Sequence, residues 1–405
     1  MRLRNFFLAV LAVLVSGLPA AGEVGVTDTE IHIGQCGPLS GVAQAWGQTV
    51  LGPKLYFAYL NAQGGIHGRQ VVLTAFDDQY NPARTMHGVK NLQEKKGMFA
   101  WLGVVGTENG LRIKEYLVNR NIPWVGPFSG ARAWIDPPVE NLFAIYPQNE
   151  YEAALITRYA GEVLQKKKIA IIYQDDQYGR EGLAGLKSQI KKYPEMELVA
   201  AVAADKQETQ LSPHVQQLRQ NKPDIVLLWV NPLAAFKVLY LAEITRFDPI
   251  WMASTALSGY ELMFEKSRGL TAGMISMNYL SRDDAEIEKF KKFWETHQEE
   301  LNIPAFTGYV LGTIGYAQVM AEGLKRCGRE LTREKFVRQL EKLKNFHQNT
   351  IGTISYGPFD PEDPSCRSGL RKLYMTQCTD QGGTRVLTDW YDLDSPIKQV
   401  NSPEM

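Results

Sequence analysis

The strongest constraint on this chain is a repeated alternation of short strand-like runs with longer helix-like runs. Residues 30–34 alternate polar and apolar side chains. Residues 47–61 read as a helix that stops at Gly64-Gly65, where glycine enters left-handed backbone without a Cβ penalty. Strands are expected at 71–76, 99–105 and 122–125, and helices at 86–94 and 111–119. A second series begins near Gln148. In residues 150–165, Ala153, Ile156, Ala160, Val163 and Leu164 share one helical face. The continuous apolar runs 168–173 and 224–229 read as strands buried on both faces. Helices at 182–190 and 212–219 and a strand at 198–202 separate them. Residues 232–244 start a helix with Asn231 as N-cap and Pro232 at the first position. Short strands follow at 250–253 and 274–277. This alternation predicts an α/β fold of parallel sheets covered on both faces by helices. Beyond residue 284 the pattern changes. Helices are expected at 287–294, 309–324 and 335–343, then an antiparallel extension at 351–355, 370–379 and 385–390. No repeat or low-complexity linker occurs, so the two α/β lobes are expected to be joined by several crossings of the chain.

The N-terminus reads as an export signal at residues 1–22. Arg2 and Arg4 precede an apolar run at 6–15, Ser16, Gly17 and Pro19 break it, and Ala20-Ala21-Gly22 offers a cleavage site. The run is about half the roughly 20 residues a transmembrane span needs. No cysteine directly follows it, so no lipid anchor is expected there. A periplasmic location follows. Acidic and basic residues balance at 44 each, which favours neither nucleic acid nor anionic lipid. Export permits disulfides among Cys36, Cys327, Cys366 and Cys378. Cys366–Cys378 is the preferred pair, because two strand-like runs flank a turn at Gln381-Gly382-Gly383, and Cys36 is expected to stay a free thiol. No cysteine or histidine spacing resembles a zinc site, and no cofactor is expected.

Ordered pieces along the chain carry a resemblance. They are Ile33-Gly34, Gly37-Pro38-Leu39-Ser40-Gly41, Val42 through Gly47, Asn61-Ala62-Gln63-Gly64-Gly65-Ile66-His67-Gly68-Arg69, Asp77-Asp78, Ile122-Pro123, Tyr178-Gly179, and the runs 103–107, 168–173 and 223–229. In that order and spacing the chain resembles the periplasmic binding proteins of branched-chain amino acid ABC transporters, the type I solute-binding proteins. The resemblance implies two Rossmann-like lobes with parallel sheets, joined by a three-crossing hinge and closing on a ligand. Lobe one is then expected at 24–147 and 281–350, and lobe two at 148–277 and 353–395. It implies a monomer that binds a small molecule, works with an ABC transporter permease, and is not an enzyme.

In such sheets ligands sit at the carboxyl ends of strands, against helix N-termini whose free N–H groups favour an anion. Trp46 is expected either to stack on the ligand, as an aromatic at this motif position does in the family, or to pack beneath the lobe. Thr107 matches a Ser or Thr that binds the ligand carboxylate in relatives; its plainer role is a helix cap. Phe128, Ser129 and Gly130 form a third loop, with Gly130 departing from a common Thr. Tyr178 matches a Tyr that closes over the ligand. Trp229 and Asn231 end a buried strand facing the cleft, and Tyr279 is a further candidate wall. Thr255 stands roughly where amino-acid binders carry a carboxylate for the ligand ammonium, and an unpaired buried ammonium is costly. A carboxylic acid or amide with an aromatic or aliphatic body therefore fits better than an α-amino acid. Glu108 or Glu150 supplying the missing anion keeps amino acids as the alternative. A ligand-sensing domain that partners a receptor is a second alternative. A hydrolase is disfavoured, because Gly37-Pro38-Leu39-Ser40-Gly41 and Gly126-Pro127-Phe128-Ser129-Gly130 place serine one position late for a nucleophile elbow.

Overall fold

A computed structural model describes residues 22–400, so the export signal expected at 1–22 lies, but for Gly22, outside the described residues. Two sheets organise the chain. The first is all parallel, in the order β2-β1-β3-β4-β5, from β1 (Glu30–Gly37), β2 (Gln70–Asp77), β3 (Ala100–Leu102), β4 (Trp124–Val125) and β5 (Leu142–Phe143). Between its strands run α1 (Leu51–Ala62), α2 (Pro82–Lys95) and α3 (Thr107–Val118). After α4 (Asn149–Glu162) the second sheet is built from β6 (Lys168–Gln174), β7 (Glu197–Ala204), β8 (Ile225–Trp229), β9 (Ile250–Ala253), β10 (Ile275–Asn278), β11 (Tyr374–Cys378) and β12 (Thr384–Val386). Its order is β12-β11-β10-β9-β8-β6-β7, parallel from β7 to β10 and antiparallel through β11 and β12. Its helices are α5 (Gln177–Ile190), α6 (Ser212–Gln220), α7 (Pro232–Ile244) and α8 (Tyr260–Ser267).

Local chemistry explains the elements. Every residue of β8 is buried, as its unbroken apolar run requires of a central strand. Helix α7 starts where Asn231 accepts from the Ala234 amide and Pro232 needs no donor. Strand β3 stops at Leu102, shorter than its apolar run, because Gly103 and Val104 take positive φ of 72° and 78° and turn the chain out of the sheet.

The helices α9 (Asp284–Leu301), α10 (Gly308–Cys327) and α11 (Arg333–Glu341) return to the first lobe. Helix α10 is buried almost all round. It approaches α1 at Gly52, where a Cβ would lie 2.2 Å from Thr313 Oγ1. The chain thus passes between lobes three times, after β5, after β10 and before β11. Bridges between Leu280 and Ile351 and between Ala144 and Ser368 tie these passages together. Arg367 secures the last of them. Fully buried, it donates to the carbonyls of Val139, Glu140 and Gly357 and pairs with Glu341 at 2.7 Å.

Three expectations are corrected. All four cysteines are free and buried. Cys366 sits in a short turn against the carbonyl of Asp360, held beside the Arg367 anchor, while Cys378 ends β11 beside Thr271, so the two do not pair. Residues 351–355 form isolated bridges rather than a strand. Helix α8 and strand β5 stand where no element was expected.

Candidate functional site

A cavity lies between the lobes. Its first-lobe floor is the start of α3. Gly106 precedes that helix at φ 98°, and a Cβ there would sit 2.5 Å from the Tyr80 ring. The first intrahelical bond runs from Gly110 to the Gly106 carbonyl, so the amides of Thr107, Glu108 and Asn109 have no partner within the helix. Thr107 is the first helical residue and Gly106 the cap, so the plainer capping role falls to Gly106. The Thr107 hydroxyl lies 2.6 Å from that of Ser129, and both line the cavity. Two hydroxyls and a helix N-terminus make an acceptor-hungry corner.

The walls are aromatic. Trp46 stands edge-on to Tyr80 at 5.5 Å and to Tyr178 at 6.5 Å. Phe128 packs on Tyr316 at 4.7 Å, and Tyr146 on Tyr279 at 5.8 Å. Burial lifts the phenols of Tyr80, Tyr146, Tyr178, Tyr279 and Tyr309 far above their ordinary range, so each stays protonated. The lobes touch directly across this space. The Trp46 indole and the Tyr309 hydroxyl both donate to the Ala256 carbonyl, and the Gln174 amide donates to the Tyr80 hydroxyl at 3.2 Å. The cleft is closed.

Among the described residues, no Asp, Glu, Lys, Arg or His lines the cavity. Thr255 occupies the wall instead, and the carboxyl group it touches is hidden behind it. Glu152 of α4 is wholly buried; it accepts from the Thr255 amide at 2.5 Å and lies 3.3 Å from the Thr255 hydroxyl. Burial pushes its carboxyl up to about 8, opposed by those two contacts. Beneath the other wall Asp78 is fully buried and lifted to about 6 by burial, with Tyr80, Thr85 and Asn109 donating to it.

Of the eleven residues singled out from the sequence, Trp46, Thr107, Phe128, Ser129, Tyr178, Thr255 and Tyr279 line the cavity. The other four are not among its lining residues. Glu108 accepts from the Gln177 amide across the cleft at 3.1 Å. Gly130 packs against the first crossing, where a Cβ would lie 2.0 Å from the Pro147 carbonyl. Trp229 is buried behind Tyr178 and donates to its carbonyl. Asn231 is committed to its cap and to Gln174 and Lys206. Glu150 does not line it either. Tyr80, Tyr146, Asn149 and Tyr309 line it without any motif to mark them. Asn149 also keeps a buried amide oxygen with no partner among the described residues.

Residues 30–383 match the family described as periplasmic binding protein. The chain belongs to that family. Leu/Ile/Val-binding protein BraC3 of Rhizobium johnstonii is 23% identical over 350 residues, covering 85% of this chain and 92% of its own length. Leu/Ile/Val-binding protein homolog 3 of Brucella melitensis is 25% identical over 44% of this chain, and the match spans half the length of that relative. Among solved structures, the fatty acid ABC transporter substrate-binding protein from Thermomonospora curvata superposes with a TM-score of 0.80 at 18% identity, covering 92% of this chain and 95% of that one. The two-lobed α/β fold is thus that of solute-binding proteins, a family of binders rather than enzymes. Among the described residues no helix is long and apolar enough to cross a membrane.

Proposed function

We propose that this chain is the extracytoplasmic solute receptor of an ABC transporter, exported by a cleaved N-terminal signal and working as a monomer with a membrane permease. Its ligand is a small carboxylate- or amide-bearing molecule with an aromatic or aliphatic body and no α-amino group. The observation that carries this reading is the uncharged lining of the cavity. The acceptor end of the ligand meets the Thr107 and Ser129 hydroxyls and the free amides of α3, and its body lies among Trp46, Tyr80, Phe128 and Tyr178. An ammonium would find no carboxylate on the wall, since Glu108 is engaged with Gln177 and Glu152 lies behind Thr255. Relatives named for leucine, isoleucine and valine keep amino acids as the second reading, while the solved neighbour named for fatty acids has the charge class proposed here.

Lobe one is assigned to 24–147 and 281–350, and lobe two to 148–277 and 353–395. No bond is made or broken. The ligand shifts an open–closed equilibrium by its differential affinity for the two states. Calorimetric titration with benzoate, phenylacetate, hexanoate and L-leucine tests the reading. Binding of at least one acid with weaker or no binding of leucine is expected. Tight binding of leucine with no response to the acids overturns it.

A further inference from the structure

The Thr255 hydroxyl stands between two oxygens. It lies 2.5 Å from the Tyr146 hydroxyl and 3.3 Å from Glu152 Oε2, while the Thr255 amide donates to Glu152 Oε1. One hydroxyl proton cannot serve both neighbours, so the three groups have two complementary arrangements. With Glu152 protonated, its acid donates to Thr255 Oγ1, Thr255 donates to Tyr146, and the Tyr146 proton turns into the cavity. With Glu152 ionised, every bond reverses. Thr255 donates to Glu152, Tyr146 donates to Thr255, and the Tyr146 oxygen faces the cavity as an acceptor.

We infer that Glu152 is a positioning residue that sets, through Thr255 and Tyr146, whether the cavity wall offers the ligand a hydrogen-bond donor or an acceptor. Glu152 does not line the cavity, whereas Thr255 and Tyr146 both do, so it acts only through them. The ionisable groups that face it are the phenols of Tyr146 on the first crossing, Tyr178 on α5 and Tyr279 on the second crossing. Among the described residues no charged side chain faces it. All three phenols stay protonated, so Glu152 alone supplies the change of sign. Its lifted titration places the switch near neutral pH. The protonated arrangement suits an anionic ligand and the ionised one a cationic or donor ligand, within one pocket. The inference rests on the reading of this cavity as the ligand site.

Two measurements test it, one of them without ligand. In the unliganded protein near about pH 6.5, infrared difference spectra should show the carbonyl stretch of a protonated carboxylic acid that is lost in Glu152→Gln and titrates away as pH rises. Absence of that band overturns the inference whatever binds. Calorimetry with benzoate, phenylacetate and hexanoate should show affinity falling above the titration of Glu152, by up to about tenfold per pH unit. Glu152→Gln, whose amide can donate to Thr255 while its oxygen accepts from the Thr255 amide, should keep acid-side affinity and lose the pH dependence. Tyr146→Phe should keep the infrared band and also lose the pH dependence. A wild-type pH profile in both variants overturns the inference. Should none of the acids bind, the reading of the ligand class fails separately, and the infrared band alone decides for or against the Glu152 switch.

Discussion

Trp46 donates its indole N–H to the carbonyl of Ala256 at 2.7 Å, which joins the first lobe to the second at the wall of the cavity. The Tyr309 hydroxyl reaches the same carbonyl at 2.8 Å from another element of the first lobe. The Ala256 carbonyl thus takes two of the hydrogen bonds that cross the cleft, beside those of Gln174 with Tyr80 and Gln177 with Glu108. Trp46→Phe keeps the ring and removes the donor. A lost hydrogen bond of this kind is worth about 1 kcal/mol, so the closed fraction should fall by roughly fivefold relative to open. Small-angle scattering of the unliganded and liganded variant reads this directly, and an unchanged radius of gyration would count against the bond as a latch.

Thr107 and Ser129 share a short hydroxyl contact at the start of α3. If that corner takes the ligand carboxylate, Thr107→Val and Ser129→Ala should each weaken benzoate binding by about tenfold or more, since hydrogen bonds to charged groups are worth about 1.5–3 kcal/mol. Thermal unfolding checks that the fold is intact. Equal losses for a neutral isostere such as benzamide would remove the charge from the argument.

Gly106 combines φ 98° with a Cβ direction blocked by Tyr80. Gly106→Ala should destabilise the protein by about 1–3 kcal/mol through backbone strain alone. It should also displace Tyr80 and abolish binding. Urea titration combined with calorimetry separates the two effects. A substitution that leaves both untouched would show that the turn relaxes freely.

Glu152 has a carboxyl raised in the folded state from 4.5 to about 8. The folded protein therefore holds a proton that the unfolded chain releases first. Its stabilising contribution is full below the unfolded value and is lost as pH climbs from about 4.5 to about 8. Unfolding free energy should decline across that window more steeply in the wild type than in Glu152→Gln. Parallel curves would refute the assignment.

Arg367 is a fully buried cation whose partners lie on the first crossing's approach and on α11. Arg367→Met removes the close partner of buried Glu341 and leaves it only the longer contact with Arg338 at 3.7 Å and the Phe359 amide, so the loss should approach the cost of a broken buried pair, about 3–5 kcal/mol. Chemical denaturation should show this loss and, because the third crossing is released, a broader distribution of lobe angles by scattering. A loss below about 1 kcal/mol would mean that water replaces the guanidinium.

Much of the architecture was legible because strands buried on both faces write themselves as unbroken apolar runs. The runs at β6 and β8 and the Asn231-Pro232 start of α7 placed the second lobe's centre almost to the residue. Breaks were harder to see. Val104 is apolar and β-branched, yet it turns left-handed after Leu102, which no local propensity announces. At the site, Trp46, Thr107 and Tyr178 were visible through ordered motifs. Trp229 and Asn231 were expected at the cleft but do not line the cavity, because the end of a strand says nothing of which layer covers it. Trp229 lies beneath α5, where Gly182 makes room for its ring. Tyr80 and Tyr309 stand 229 positions apart and line one cavity only because α10 returns to pack on the first lobe. Glu152 carried no signal beyond being an acid on an otherwise apolar helical face. Glu108 and Glu150, the latter two positions before Glu152, were the acids that drew attention.

The four buried thiols have a practical consequence. With no covalent cross-link to form, the native state is reached by packing alone, and its stability is indifferent to the redox poise of the compartment in which the chain folds. The chain gains nothing from a disulfide isomerase, and mild reductants should leave its ligand affinity where it was.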